Sequence, residues 1–310
     1  MTTAFTGIHA ILYALFDAGE RLDRQAMRRQ VEVCLGLGVH GIAALGLATE
    51  VSKLTVTERR TVMEWASEDV AGRRPLAFTI FGSSVGEQIE QVRAAEAAKA
   101  DWVILQPPMV GSFGAAEYIR FFGRVAEATS LPVAIQNAPA YMGRGLSAGD
   151  IRDLVAQHPN IALVKGEGPA TDIAQLIETT ENRLPIMNGR GGLELIENLR
   201  AGCVGMILAP DVIDFMVQAY ESFKAGDEAA ADLAYRDALP AVVFIMQSLE
   251  SLICYGKRVF GARAGIAIHD RAPAMRPTAF GETLVQKHVA KLGRFPGVSP
   301  DGRGSHPRPA

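Results

Sequence analysis

Short apolar runs recur along the chain, and each is followed by a longer segment whose apolar residues are spaced three and four apart. The runs are nearly all apolar, without the alternation of a half-exposed sheet, so they read as strands covered on both faces. They fall at 7–16, 41–45, 75–81, 102–105, 132–136, 161–165, 184–187 and 205–209. Helices are predicted at 23–37, 57–70, 85–99, 115–129, 147–157, 171–180, 192–201 and 211–224. Asp23 and Ser147 stand where N-caps belong. Eight strand–helix pairs in strict alternation predict a parallel sheet closed into a (β/α)8 TIM barrel over residues 1–225. An open doubly wound sheet is the competing arrangement, but no G-x-G-x-x-G follows the first strand.

From Gly226 the period changes. A long helix is predicted over 228–263, with apolar residues at Leu233, Leu239, Val243, Met246, Leu249 and Ile253, and a last one over 282–292. Residues 226–292 are expected to form a helical module packed on the barrel. Residues 293–310 are rich in Pro, Gly and Arg and show no periodicity, which predicts a flexible tail.

Composition narrows the class. The chain has 310 residues, 48% hydrophobic and 21% charged, an ordinary globular balance. A net charge of -3 gives no electrostatic case for nucleic acid or an anionic membrane. The cysteines (Cys34, Cys203, Cys254) are scattered and odd in number, which fits a reducing compartment. The apolar run at 8–16 follows no basic region and is too short to span a bilayer, so a cytoplasmic location is expected. The histidines show no paired metal spacing and no C-x-x-C occurs, so no metal site is expected.

In a barrel of this kind the active site lies at the C-terminal ends of the strands. That rim collects Gly46-Leu47-Ala48-Thr49-Glu50, Gln106-Pro107-Pro108-Met109, Gln136-Asn137-Ala138-Pro139, Lys165-Gly166-Glu167, Asn188-Gly189-Arg190-Gly191-Gly192 and Met206-Ile207-Leu208. Lys165 closes four apolar residues and is the only lysine or arginine at a predicted strand terminus there. Burial of an amine favours its neutral form, which attacks a ketone to form a Schiff base. The competing reading is a lysine that ends a strand and reaches into water.

With these residues in place, the chain resembles the dihydrodipicolinate synthase / N-acetylneuraminate lyase family over about residues 7–265. The resemblance rests on Gly7 opening strand one, Gly46-x-x-x-Glu50, Asn137-x-Pro139, Lys165 ending strand six, Gly189 after strand seven, and Gly205-Met206-Ile207. It implies a class I mechanism in which a 2-keto acid is held as an imine on Lys165, with no other cofactor. It also implies a homotetramer, a dimer of dimers. Ala48 and Thr49 are then expected at the substrate carboxylate, with Gly189, Ile207, Asn137 and Tyr141 around the ligand.

The departures redirect the reading. The family's usual G-T-T-G-E is Gly46-Leu47-Ala48-Thr49-Glu50, and the tyrosine of its Y-N-x-P turn is Gln136. The synthase's second tyrosine falls near Met109, and its arginine near Tyr141. Lysine-pathway synthase activity is therefore not expected. Glutamine followed by x-A-P, with Lys-x-Glu on strand six, is similar to the branch that dehydrates 2-keto-3-deoxy sugar acids, the arabonate dehydratases above all.

Dehydration needs a proton acceptor and donor beside the imine. If the strand runs on past Gly166, alternation points Glu167 the same way as Lys165, and the Gln136 amide can orient a hydroxyl or a water. Lys165 is thus the expected nucleophile, Glu167 the acid/base and Gln136 the positioning group. Glu167 as a carboxylate at a helix start, and Gln136 as a satisfied strand end, remain alternatives. So does a plain tight turn at Ala48-Thr49, with Glu50 serving structure. Arg190 among its glycines also admits a phosphate site, and Arg144 and Tyr141 admit contact with the substrate's distal end. Two other functions stay open: a pyruvate-dependent aldolase on the same lysine, and a non-catalytic relative that binds keto acids.

Overall fold

The computed structural model describes residues 5–298. Eight parallel strands pair in chain order, and β8 returns to β1 to close the barrel. They are β1 Gly7–Ile11, β2 Gly41–Ala44, β3 Leu76–Ile80, β4 Trp102–Leu105, β5 Val133–Asn137, β6 Ile161–Gly166, β7 Ile186–Asn188 and β8 Gly205–Leu208. Nearly every strand residue is buried, because the barrel interior and the helical shell cover both faces.

The outer layer comprises α1 Arg24–Gly36, α2 Val56–Val70, α3 Val85–Ala97, α4 Ala115–Ala126, α5 Pro139–Met142, α6 Ala148–Gln157, α7 Ala170–Thr179, α8 Leu195–Arg200 and α9 Ile213–Lys224. Asp23 caps α1 through the N–H groups of Gln25 and Ala26, as its position predicts. The helix expected from Thr57 starts instead after Thr55, whose hydroxyl and the Glu58 carboxylate form a reciprocal capping box. Ser147 and Asp150 form a second such box at α6.

The largest difference lies after the barrel. The continuous helix expected to residue 263 is two helices, α10 Glu228–Ile245 and α11 Leu249–Ala264, bent by 109°. Ser248 breaks the run: its hydroxyl accepts from the Ser251 N–H and starts a new helix. The predicted first strand also ends early. Residues 12–15 leave the ladder yet stay buried, with the Tyr13 backbone held by both ends of the Gln30 amide at 2.9 Å. The last helix, α12 Ala279–Leu292, opens at a Thr278 cap. The tail expected to be flexible from residue 293 is anchored at its start. Phe295 is buried beneath the Arg263 guanidinium, 4.0 Å from its ring, so burial and a cation–π contact hold it. Residues 299–310 lie outside the described residues. No single helix among the described residues is long and apolar enough to cross a membrane.

The barrel and the appended helices meet at a buried polar joint. Asp211 follows β8, accepts from the Tyr13 hydroxyl at 2.9 Å, and gives its backbone carbonyl to Arg263 on α11. Burial pushes the Asp211 carboxyl up to about 6, although the Tyr13 hydrogen bond and Arg263 pull the other way. The folded carboxyl therefore binds its proton more tightly than the unfolded one. Its contribution to stability is complete below the unfolded value of 3.8 and is lost as pH rises through about 6. That rise corresponds to about 3 kcal/mol between acid and neutral pH. Asp211→Asn should melt progressively higher than the native protein as pH is raised from about 4.5 to 8. Parallel thermal-melt curves across that range would show the joint to be uncoupled from this proton.

Candidate active site

The register of the barrel assembles the site. On neighbouring strands Gln136 pairs with Lys165, and Gly166 with Asn188. The Glu167 N–H donates to the Asn137 carbonyl at 2.9 Å, so the strand geometry continues one residue past β6. Lys165 and Glu167 therefore face the same side, and the Lys165 Nζ lies 2.6 Å from Glu167 Oε1. The Gln136 Nε2 donates to that same oxygen at 2.7 Å. The three side chains are almost fully buried, at 5% for Lys165, 7% for Glu167 and 2% for Gln136.

A cavity of about 40 Å³ opens over Lys165 and Glu167. That is room for roughly three waters, the scale of a small polar head group. Ala48, Tyr141, Gly189 and Ile207 line it together with Lys165 and Glu167, and Met246 and Leu249 close it from the appended helices. Leu47, Tyr141 and Leu249 also border a wider groove of about 460 Å³, where Phe81, Met109, Ile253 and Met275 form largely apolar walls. The inner cavity and this groove thus share Leu47, Tyr141 and Leu249 as a common wall.

The other expected site residues divide. The Thr49 side chain is buried, and its hydroxyl donates to the Leu12 carbonyl rather than facing the cavity. Asn137 is also turned away. Its amide donates to the Leu146 carbonyl at 3.0 Å and its oxygen accepts from the Leu146 N–H at 2.8 Å, which fixes the loop into α6. Arg144 binds the carbonyls of Pro108, Gly111 and Met142 and so staples the β4–α4 loop. Glu50 serves structure: it caps the Leu47–Thr49 turn in a left-handed conformation and is clamped by Lys53 and by the fully buried Lys257 of α11. Burial drives the Lys257 amine down, against the pull of Glu50.

At the outer wall, Arg190 pairs with Glu194 at 2.7 Å and lies beside the Tyr141 side chain. Its charge is therefore already balanced, which weakens the phosphate alternative. Burial raises the Tyr141 hydroxyl, Arg190 opposes this, and the charge of Glu167 adds to it. Tyr141 stays a neutral O–H donor at the mouth of the cavity.

One buried group had no role in the sequence reading. Gln106, just past β4, donates from Nε2 to Gln136 Oε1 at 2.8 Å. The signal was present: both Trp102–Leu105 and Val133–Ile135 are apolar runs closed by glutamine. Among the described residues, no group of three or more His, Cys, Asp or Glu side chains is placed to hold a metal ion.

The model of the dihydrodipicolinate synthetase family matches residues 4–261. The 4-hydroxy-tetrahydrodipicolinate synthase of Methanoculleus marisnigri is 30% identical over 76% of this chain and 82% of its own. YagE of Escherichia coli K12, provisionally described as a 2-dehydro-3-deoxy-D-gluconate aldolase, is 28% identical over 73% of this chain and 77% of its own. A crystal structure from Pseudomonas aeruginosa, provisionally described as a dihydrodipicolinate synthetase, superposes with a TM-score of 0.88 at 26% identity. It covers 93% of this chain and 99% of that one.

Gly189 offers a sharp test of the geometry. A Cβ there would stand 3.1 Å from Cγ and Cδ of Glu167 and 3.2 Å from Oε1. Gly189→Ala should therefore displace the Glu167 carboxylate by a few tenths of an ångström and lower turnover by about tenfold or more. Undiminished turnover in a folded variant would mean that Glu167 is not held by this contact.

Proposed function

The chain belongs to the dihydrodipicolinate synthetase family, and within it we propose a Schiff-base lyase that dehydrates a 2-keto-3-deoxy sugar acid. Enzymes of this family act through a covalent lysine imine on small keto acids such as pyruvate, without an external cofactor. The observation that carries the finer reading is the buried trio. Where the synthases resembled by this chain have a tyrosine, Gln136 stands hydrogen-bonded to Glu167, which itself touches Lys165.

In this mechanism Lys165 passes a proton to Glu167 and attacks the C2 carbonyl, and loss of water gives the protonated imine. The Ala48 turn receives the substrate carboxylate. Glu167 then takes a C3 proton, and the C–H electrons form the C2=C3 bond of an enamine while the C2=N pair returns to nitrogen. The enamine expels the C4 hydroxyl, which leaves as water with the proton carried by Glu167. Hydrolysis of the imine releases the product and regenerates Lys165. Met109 and Tyr141 stand where the synthases have a tyrosine and an arginine, which argues against the lysine-pathway reaction.

A second reading is favoured by YagE: an aldolase that uses the same imine and cleaves C3–C4. The products separate the two, a dehydrated keto acid in one case and pyruvate plus an aldehyde in the other.

Borohydride reduction in the presence of pyruvate or a 2-keto-3-deoxypentonate should fix the ligand to Lys165, as read by peptide mass mapping. Absence of the adduct on Lys165 would end the imine mechanism. Glu167→Gln should still give the adduct but lose about 100-fold or more in turnover. Full activity of that variant would remove Glu167 from proton transfer.

A further inference from the structure

The imine reading assigns Lys165 and Glu167 but gives no reason for a line of two buried amides behind them. Gln106 Nε2 donates to Gln136 Oε1 at 2.8 Å, and Gln136 Nε2 donates to Glu167 Oε1 at 2.7 Å. Gln106 is fully buried, and its own Oε1 has no hydrogen-bond partner among the described residues. Its backbone carbonyl is held by Gln88 of α3, which also binds the Gly82 carbonyl. A buried carbonyl without a partner is worth about 1–3 kcal/mol of lost stability, so its retention calls for a cause.

An amide has a donor end and an acceptor end, so the direction of the line is set as a whole. Because Gln106 offers its N–H, Gln136 turns its oxygen to Gln106 and its own N–H to Glu167. Glu167 Oε1 then meets two donors, the Gln136 amide and the Lys165 amine. Both donors are matched by a carboxylate oxygen that only accepts. If both amides turned over, Gln106 Oε1 would accept from Gln136, and Gln136 Oε1 would accept from a protonated Glu167. The line keeps the same number of hydrogen bonds in either direction. The unpartnered carbonyl of Gln106 is the acceptor that the reversed direction requires.

We propose that Gln106 is a positioning residue that sets the direction of this amide line. It thereby holds Glu167 as the proton-accepting carboxylate when C3–H is broken, and the line reverses while Glu167 carries the proton. The proposal rests on the imine reading above. In the step concerned, the C3 proton goes to a Glu167 oxygen, its electron pair becomes the C2=C3 bond, and the iminium nitrogen recovers its pair. Other charged or titratable groups also face Glu167: Lys165 from β6, Tyr141 from α5, and Arg190 from the turn after β7. A change at Gln106 leaves these in place.

The test uses the full chain with pyruvate as probe. Exchange of the pyruvate methyl protons in deuterated water is followed by NMR from about pH 5 to 9, beside borohydride trapping on Lys165. Gln106→Glu, once ionised, presents only acceptors to Gln136 and enforces the reversed line. It should move the acid limb of the exchange profile up by about one pH unit and lower the maximum by about tenfold. Gln106→Met removes both ends of the amide and adds no charge, so it should give a smaller shift in the same direction. Trapping should persist in both variants. A native acid limb in either folded variant, even with a slower rate, would reduce Gln106 to a packing role and overturn the proposal. If one variant fails to fold, the other decides. If the native protein gives no trapped adduct, the imine reading falls first and this inference falls with it.

Discussion

The site depends on the contact between Lys165 and Glu167, two opposite charges 2.6 Å apart in a place nearly closed to water. A single charge buried there would be strongly unfavourable, whereas a hydrogen-bonded pair is tolerated. Under the proposed chemistry that balance survives each step. The protonated imine replaces the ammonium opposite the carboxylate, and the neutral enamine forms as Glu167 takes its proton. The barrel contributes by fixing both side chains on one face of one strand, with Gln136 beside them on the next.

A second buried pair ties the appended helices to the cavity. Lys257 on α11 reaches Glu50, the residue that caps the Gly46–Thr49 turn. Lys53 binds the other oxygen of that carboxylate. Breaking one member of such a pair leaves an uncompensated buried charge. The turn that presents Ala48 to the cavity is therefore tied to the C-terminal module, as is the cavity roof of Met246 and Leu249. The joint of Tyr13, Asp211 and Arg263 connects the same two parts from the ends of β1 and β8.

Most of the fold was legible along the chain because its signals are local. All-apolar runs closed by turns gave eight strands, and Asp23 and Ser147 gave caps that the structure contains. Where the structure departs from the hydrophobic period, a short polar signal is the cause. Ser248 ends an apolar helix face that otherwise continues to residue 263, and Thr55 caps α2 two residues ahead of Thr57. Phe295 sits in a segment without periodicity, so nothing local foretold that Arg263 would cover it.

The sequence by itself determined the barrel and the place of Lys165 on its rim, since these follow from strand count, whereas the direction of Glu167 needed the backbone bond to Asn137 that carries the strand geometry past Gly166. Tertiary structure alone decided which polar groups turn inward. Thr49 and Asn137 lie on the same rim as Lys165, yet their side chains serve backbone groups of Leu12 and Leu146. Gln106 carried the same strand-end pattern as Gln136, and only the spacing of neighbouring strands brought the two amides to 2.8 Å in line with Glu167. Such partnerships depend on distances across the barrel, for which a linear chain holds no local signal.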